Sequence, residues 1–270
     1  MPDACSDSTT PAETVQERFG ALDRLYGRGA VTRLARAHVC VVGLGGVGSW
    51  AVEALARSAV GRLTLVDYDT VAASNMNRQL PALTSTLGEK KHAVLARRVA
   101  EINPHCACET VDDYLTLDNV RELMDPARGY DYVIDAMDSI KFKAGLIYWC
   151  RRNRIRIITT GAAGGLTDPT AVAIRDLTRV RHDPLAARVR AKLRDDYGWT
   201  RNPRRYFGVE CVFSNQQQVY PRADGTVGPE KPGIRGVHLD CRLGYGSAMF
   251  VTAAFGLAAA GRVVNRLAAS

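Results

Sequence analysis

Short apolar runs alternate with helical patterns along most of the chain. Val39–Val42 reads as a buried strand that enters the turn Gly43-Leu44-Gly45-Gly46-Val47-Gly48, and a helix follows from Ser49 to about Ser58. Further strands are predicted at Arg62–Asp67, Cys108–Val111, Tyr132–Asp138 and Ile155–Thr160. Between them, Val94, Leu95, Val99 and Ile102 keep the helical period over 90–103, and helices are expected at Leu117–Met124 and 139–152. Strand–helix repeats of this kind predict an α/β fold with a doubly wound, mainly parallel sheet. The second half predicts a short strand at Ala171–Ile174, an amphipathic helix through Asp183–Leu193 and an extended run at Gly208–Ser214. A turn-rich loop over Pro221–Gly236 and a helix over Ala248–Leu267 complete it. The apolar stretch of that last helix is rich in Ala and Gly and stops at Arg262, which is short for a bilayer, so a buried helix and no membrane contact are expected.

Gly43, Gly45 and Gly48 stand at the G-x-G-x-x-G spacing that opens a nucleotide-binding fold. The first glycine lets the strand turn, the second lets a phosphate approach the backbone, and the third lets helix and strand pack closely. Asp67 closes the second strand about 20 positions on, where a ribose hydroxyl is held. Taken alone, this much fits a nicotinamide dehydrogenase. Lys91 opens a helix, where a cation opposes the helix dipole unless a bound phosphate offsets it. Asp138 ends an apolar strand and is the magnesium candidate; the alternative is an N-cap for the helix that begins near Ser139, and the two roles are compatible. The loop Gly161–Gly165 lines a substrate mouth or simply turns beside a tightly packed sheet.

Charge changes the picture next. A net +8 over 270 residues favours an acidic partner such as nucleic acid. The stretch Arg175–Arg205 holds ten Arg or Lys against four Asp. Arg188, Lys192 and Arg194 are expected outward on its helix, and with Arg204 and Arg205 they form the candidate phosphate-backbone contacts. Tyr197, Trp199, Tyr206 and Phe207 interleave with them and can stack on unpaired bases. Seven scattered cysteines without a CxxC pair argue against a disulfide framework or a structural zinc site, and for a reduced, cytoplasmic protein. Residues 1–14 are small and polar, and a disordered tail is expected there.

The segments Asp67-Tyr68-Asp69, Ser74-Asn75-Met76-Asn77-Arg78-Gln79 and Gly88-Glu89-Lys90-Lys91 are not dehydrogenase-like; they resemble the ubiquitin-activating-like superfamily of ThiF/MoeB type. Ile102-Asn103-Pro104, Asp135-Ala136-Met137-Asp138-Ser139, Asp183-Pro184-Leu185-Ala186 and Cys211-Val212-Phe213-Ser214 narrow that resemblance to its tRNA threonylcarbamoyladenosine dehydratase group. The resemblance implies a single adenylating domain over 15–270, with a nucleotide-binding core at 15–165 and a tRNA-binding part at 166–270. It implies ATP rather than NAD, held by Gly43, Gly45, Gly46 and Gly48, with Asp67 and Asp69 on the ribose side. Asn75, Arg78 and Lys91 would face the phosphates and Asp138 the Mg2+ ion, so Arg78, Lys91 and Asp138 form the expected catalytic set.

The expected substrate is tRNA carrying threonylcarbamoyladenosine, whose carboxylate is adenylated and then cyclised with release of AMP and pyrophosphate. The resemblance also implies a homodimer, in which Arg18 or Arg24 reaches the partner's ATP site. A cysteine desulfurase with its sulfur acceptor, and a monovalent cation (K+ or Na+) near Ser214 or the final glycine-rich turn, are implied on the same basis. A sulfur-carrier-protein adenylyltransferase is the alternative. It would share the nucleotide site, but the missing CxxC pairs and the basic segment argue against it. Cys211 and Cys241, the candidate acyl acceptors, are read as structural or substrate-lining.

Overall fold

The computed structural model describes residues 14–222, 224–230 and 246–269. Seven strands form the main sheet: β1 (His38–Val42), β2 (Arg62–Val66), β3 (Ala107–Val111), β4 (Tyr132–Asp135), β5 (Ile157–Thr160), β6 (Val172–Asp176) and β7 (Glu210–Ser214). Their order is β3-β2-β1-β4-β5-β7-β6. Every neighbouring pair is parallel except the edge pair β6/β7. A small hairpin, β8 (Tyr220–Pro221) with β9 (Val227–Gly228), stands apart from it. Val39, Cys40, Val41 and Val42 are at most 1% exposed, as expected of a central parallel strand covered on both faces, which is why β1 reads as an unbroken apolar run.

The helices are α1 (Val15–Phe19), α2 (Ala21–Tyr26), α3 (Ala30–Arg36), α4 (Gly48–Ala56), α5 (Lys91–Ile102), α6 (Val120–Leu123), α7 (Ile140–Arg152), α8 (Pro184–Tyr197) and α9 (Met249–Ala268). Two buried clusters record the two layers. Leu34, Leu55, Leu95, Phe255 and Val263 pack on one face of the sheet under α3, α4, α5 and α9. Met124, Leu146, Ile147, Val189 and Leu193 pack on the other under α6, α7 and α8. The core of the molecule is thus an α/β doubly wound sheet. At β1 the chain crosses from one side of the sheet to the other, with β2 and β4 as its neighbours, and the crevice at the carboxyl ends of these strands is where such sheets bind ligands.

Several elements differ from the sequence expectation. The helix expected at Leu117–Met124 is reduced to the single turn of α6, because Asn119 turns its side chain back to accept from Thr116 N at 2.8 Å. The N-terminal segment forms three short helices, broken at Gly20 and again at Gly27 and Gly29. Thr14, assigned to the disordered tail, instead closes a capping box with Glu17; the rest of that tail lies outside the described residues. Cys241 and 231–236 of the turn-rich loop also lie outside them. Among the described residues no helix is long and apolar enough to cross a membrane. Instead α9 buries Val251, Phe255 and Val263 on the sheet, and a Cβ on Gly256 would stand 2.3 Å from Val47 O at the start of α4.

Candidate active site

The glycine turn has the geometry its spacing demands. Gly43 takes φ +87°, and a Cβ there would meet Ala136 C and O at 3.0 Å, so the turn leans on the end of β4. A Cβ on Gly48 would lie 1.8 Å from Gly43 O, which excludes every other residue from the first position of α4. Around Gly45 there is room: the nearest atom to its added Cβ is Gln79 Nε2 at 3.8 Å. The chain behind the turn is fixed by Ser49 Oγ, which donates to Gly45 O at 2.6 Å and accepts from Leu80 N at 3.3 Å.

Asp67 faces this turn. Its Oδ2 accepts from Leu44 N at 2.6 Å and its Oδ1 from Asp69 N at 2.8 Å. Burial nonetheless raises its carboxyl above the ordinary value, against those two hydrogen bonds and the charge of Lys91. Asp69 binds Lys91 Nζ at 2.8 Å, with the lysine side chain 6% exposed. The charge expected at the start of α5 is therefore offset by a carboxylate already in place.

Arg78 differs. Its stem runs over Gly46, where an added Cβ would meet Arg78 Cγ at 3.1 Å. Its Nη1 donates to Ser74 O at 2.8 Å and Asn77 Oδ1 at 3.0 Å, and Trp50 Nε1 holds its carbonyl at 3.0 Å. No carboxylate pairs with it among the described residues, so its charge is uncommitted above the cradle. Asn75 is buried, and its Oδ1 closes its own turn by accepting from Ala72 N at 3.0 Å.

Asp138 is exposed on the loop after β4 and makes no ion pair among the described residues. The helix-capping role considered for it does not hold, since the cap position of α7 is Ser139. Tyr114 stands between the two acidic sides of the site. Its ring lies edge-on to Tyr68 at 5.0 Å and to Phe142 at 5.2 Å. Burial raises its hydroxyl's pKa, and the charges of Asp138 and Asp69 add to that.

Sequence reasoning missed Tyr114, Gln79 and a buried ionic knot beneath the loops. Gln79 is 8% exposed and its Oε1 has no partner among the described residues. The only signal for it was adjacency to Arg78 in one motif. In the knot, Lys143 Nζ binds Asp135 Oδ2 at 2.9 Å and Thr159 Oγ1 at 3.0 Å, and Asp135 Oδ1 accepts from Met137 N at 3.2 Å. Behind it, Asp183 Oδ2 accepts from Ala162 N at 3.0 Å and so ties the Gly161–Gly165 loop to the start of α8.

The basic segment is only partly free. Arg188, Arg204 and Arg205 are exposed and unpaired among the described residues. Lys192, expected as an outward cation, is held by Asp196 at 2.6 Å, one helical turn on. Arg194, also expected outward, is half-buried instead. It donates to Thr200 O at 3.4 Å and lies over the Phe207 ring at 5.6 Å, because the chain after α8 folds back across it. Of the two N-terminal arginines, Arg18 donates to Ile102 O at 3.3 Å, whereas Arg24 is exposed. Cys211 is fully buried and burial raises its thiol far above the ordinary value, which disfavours the thiolate an acyl acceptor needs.

The chain is 47% identical to the tRNA threonylcarbamoyladenosine dehydratase of Escherichia coli (strain K12), over 97% of each chain. To the enzyme of the same name from Haemophilus influenzae it is 46% identical, over 94% of this chain and 95% of the relative. The E. coli tRNA N6-threonylcarbamoyladenosine dehydratase, TcdA, solved in complex with ATP, superposes with a TM-score of 0.82 at 45% identity, covering 93% of this chain and 94% of that one. The sequence profile of the ThiF family matches residues 20–267, and the chain belongs to that family.

Proposed function

We propose that the protein is an ATP-dependent tRNA threonylcarbamoyladenosine dehydratase. The observation that carries this reading is Arg78, an uncommitted guanidinium laid over a glycine cradle, in a chain alike from end to end to enzymes of that name. The cradle fits a nucleotide: Gly45 is open where a phosphate must approach, and a side chain at Gly48 would collide with the backbone of the turn. Asp67 takes the ribose hydroxyls beside Asp69, while Asn75 Nδ2, Arg78 and Lys91 face the phosphates. Asp138 suits Mg2+, because it offers an unpaired oxygen donor at the carboxyl edge of the sheet. When bound, that ion would neutralise phosphate charge.

The substrate carboxylate attacks the α-phosphorus of ATP and pyrophosphate leaves, giving an acyl-adenylate. A neighbouring atom of the same modification then attacks the acyl carbon and expels AMP, so the net change is loss of water. Negative charge builds between acyl oxygen and departing pyrophosphate, and Arg78 and Lys91 oppose it there. Ring closure within one bound nucleoside needs no second nucleophile, only orientation.

Arg188, Arg204 and Arg205 take tRNA phosphates, with Lys192 and Arg194 joining if their internal contacts exchange. The chain works as a cytoplasmic homodimer in which Arg24, the freer of the two N-terminal arginines, reaches the partner's ATP site. The exposed Leu25, Phe250 and Leu257 support a buried face between copies. A cysteine desulfurase with its sulfur acceptor is a further partner, and K+ or Na+ binds near Ser214 or the final glycine-rich turn. The test is incubation with Mg-ATP and tRNA carrying threonylcarbamoyladenosine, followed by nuclease digestion and mass spectrometry. ATP-dependent loss of one water, abolished by Arg78→Ala, supports the reading. An unchanged nucleoside, with AMP formed only when a small sulfur-carrier protein is added, overturns it.

A further inference from the structure

The nucleotide site occupies the carboxyl edge of the sheet, but two cavities open at the opposite edge. One, of about 380 Å³, is lined by Tyr148, Trp199, Tyr206 and Phe207 together with Arg151 and Arg152. The other, of about 680 Å³, shares Arg151 and reaches Tyr132, Ile157 and Glu210, near or at the first residues of β4, β5 and β7. A strand of four or five residues separates this edge from the ATP site, roughly 13–17 Å. Nothing bound here touches the reacting nucleoside.

Charge and shape select the ligand. Arg151, Arg152 and Arg156 are exposed and make no ion pair among the described residues. The two acids that line the second cavity are already engaged. Asp176 accepts from the backbone N–H of Thr178, Phe207, Gly208 and Val209, and Glu210 pairs with Arg262 at 2.6 Å. Positive charge is therefore left over. Tyr206 is 63% exposed, with the Arg179 guanidinium 4.8 Å from its ring centroid, and the Trp199 ring meets Phe207 edge-on at 4.7 Å. A flat ring beside two unpaired guanidinium groups matches a base and its flanking phosphates, since bases stack on aromatic faces and arginines neutralise the backbone. An acidic peptide would use the arginines and leave Tyr206 without a role.

We infer that this aromatic–arginine pocket is a second tRNA subsite, which stacks one unpaired nucleotide of the substrate on Tyr206 and holds its phosphates with Arg151 and Arg152. The inference rests on the proposed function, because only a polyanion longer than the sheet is wide can occupy both edges at once. Arg152→Gln with Arg151→Gln, and separately Tyr206→Ala, remove the contacts at exposed positions outside the ATP site.

The assay is fluorescence anisotropy of labelled, unmodified tRNA with the full-length protein across a salt series, with the ATP-induced melting shift measured in parallel. Tyr206→Ala is expected to weaken tRNA binding about tenfold, and to weaken binding of a single-stranded oligoribonucleotide but not of a blunt RNA duplex. The double arginine variant is expected to lower the log–log salt slope by up to about two. Both should keep the parent's ATP-induced shift. Parent-like affinity and slope in both variants, equal loss on duplex and single strand, or a parent that fails to bind tRNA would overturn the subsite. Should the parent bind tRNA and the variants lose it while no water is removed from the modified nucleoside, the subsite stands and the dehydratase reading falls.

Discussion

Lys143 offers the sharpest test of how the site is held. Its side chain is 1% exposed and that of Asp135 is fully buried, so neither charge has water to fall back on. Replacing Lys143 by Met keeps the volume and removes the cation, leaving the Asp135 carboxylate, among the described residues, with Thr159 Oγ1 at 2.7 Å and Met137 N at 3.2 Å. Breaking one side of a buried pair costs about 3–5 kcal/mol, because the remaining charge stays desolvated. At roughly 2–4 °C per kcal/mol for a chain near this size, the melting temperature should fall by about 10 °C. Neutralising the partner as well, in Lys143→Met/Asp135→Asn, removes the stranded charge but keeps an oxygen for Met137 N. The double variant should therefore regain most of the loss, to within about 1–2 kcal/mol of the parent. Urea unfolding monitored by circular dichroism, with unchanged m values, measures both. A single variant within 1 kcal/mol of the parent, or a double variant no better than the single, would refute the argument.

Other perturbations read the rest of the site. Arg78→Ala should lower single-turnover AMP release by about 10²–10³ with the fold intact, and Arg78→Lys should restore only part, since an ammonium lacks the guanidinium fork. Gly48→Ala places a methyl 1.8 Å from Gly43 O, so the ATP-induced rise in melting temperature should disappear. His38 is buried between Arg128 O at 3.2 Å and Thr64 Oγ1 at 2.9 Å, and burial, then the charge of Arg62, lowers its pKa below 6.5. Below pH 6.5 the unfolded chain therefore takes up a proton that the folded chain resists. Stability should fall as pH drops, by at most about 1.4 kcal/mol per pH unit, and urea unfolding at pH 5.5 and 7.5 should show a smaller difference in His38→Gln.

The features legible in the sequence were those set by local backbone geometry. Gly43, Gly45 and Gly48 announce the cradle because a positive φ, an open approach and a 1.8 Å clash each leave a glycine at fixed spacing. Asp67 was legible for a related reason, since it follows directly from where β2 ends. Features that join distant elements were hidden. Nothing in the helical stretch 139–152 singles out Lys143, and only the packing of α7 on β4 and β5 brings it to Asp135 and Thr159. Arg194 looked solvated because helical periodicity knows nothing of the chain that later folds over it to place Phe207 at 5.6 Å. The Lys192–Asp196 pair, by contrast, is legible in the sequence, since the two residues stand four positions apart on one helix.

The burial of Cys211 bears on how the proposed reaction ends. An adenylating enzyme that hands its acyl group to a thiol needs that sulfur exposed and readily ionised. Cys211 lies in β7 with 1% exposure, and burial and then the negative charge of Asp183 both raise its pKa, more than Lys143 lowers it. Opening the strand to reach it would break the β7 pairing with β5 and β6. A thioester at this position would therefore require the sheet edge to unfold on each turnover. Capture by an atom already on the substrate requires no such opening, and it places the remaining demand on the loops: to hold the acyl-adenylate and the closing atom together while water is kept out. The ties from Asp135 to Met137 and from Asp183 to Ala162 hold the two loops that would do so.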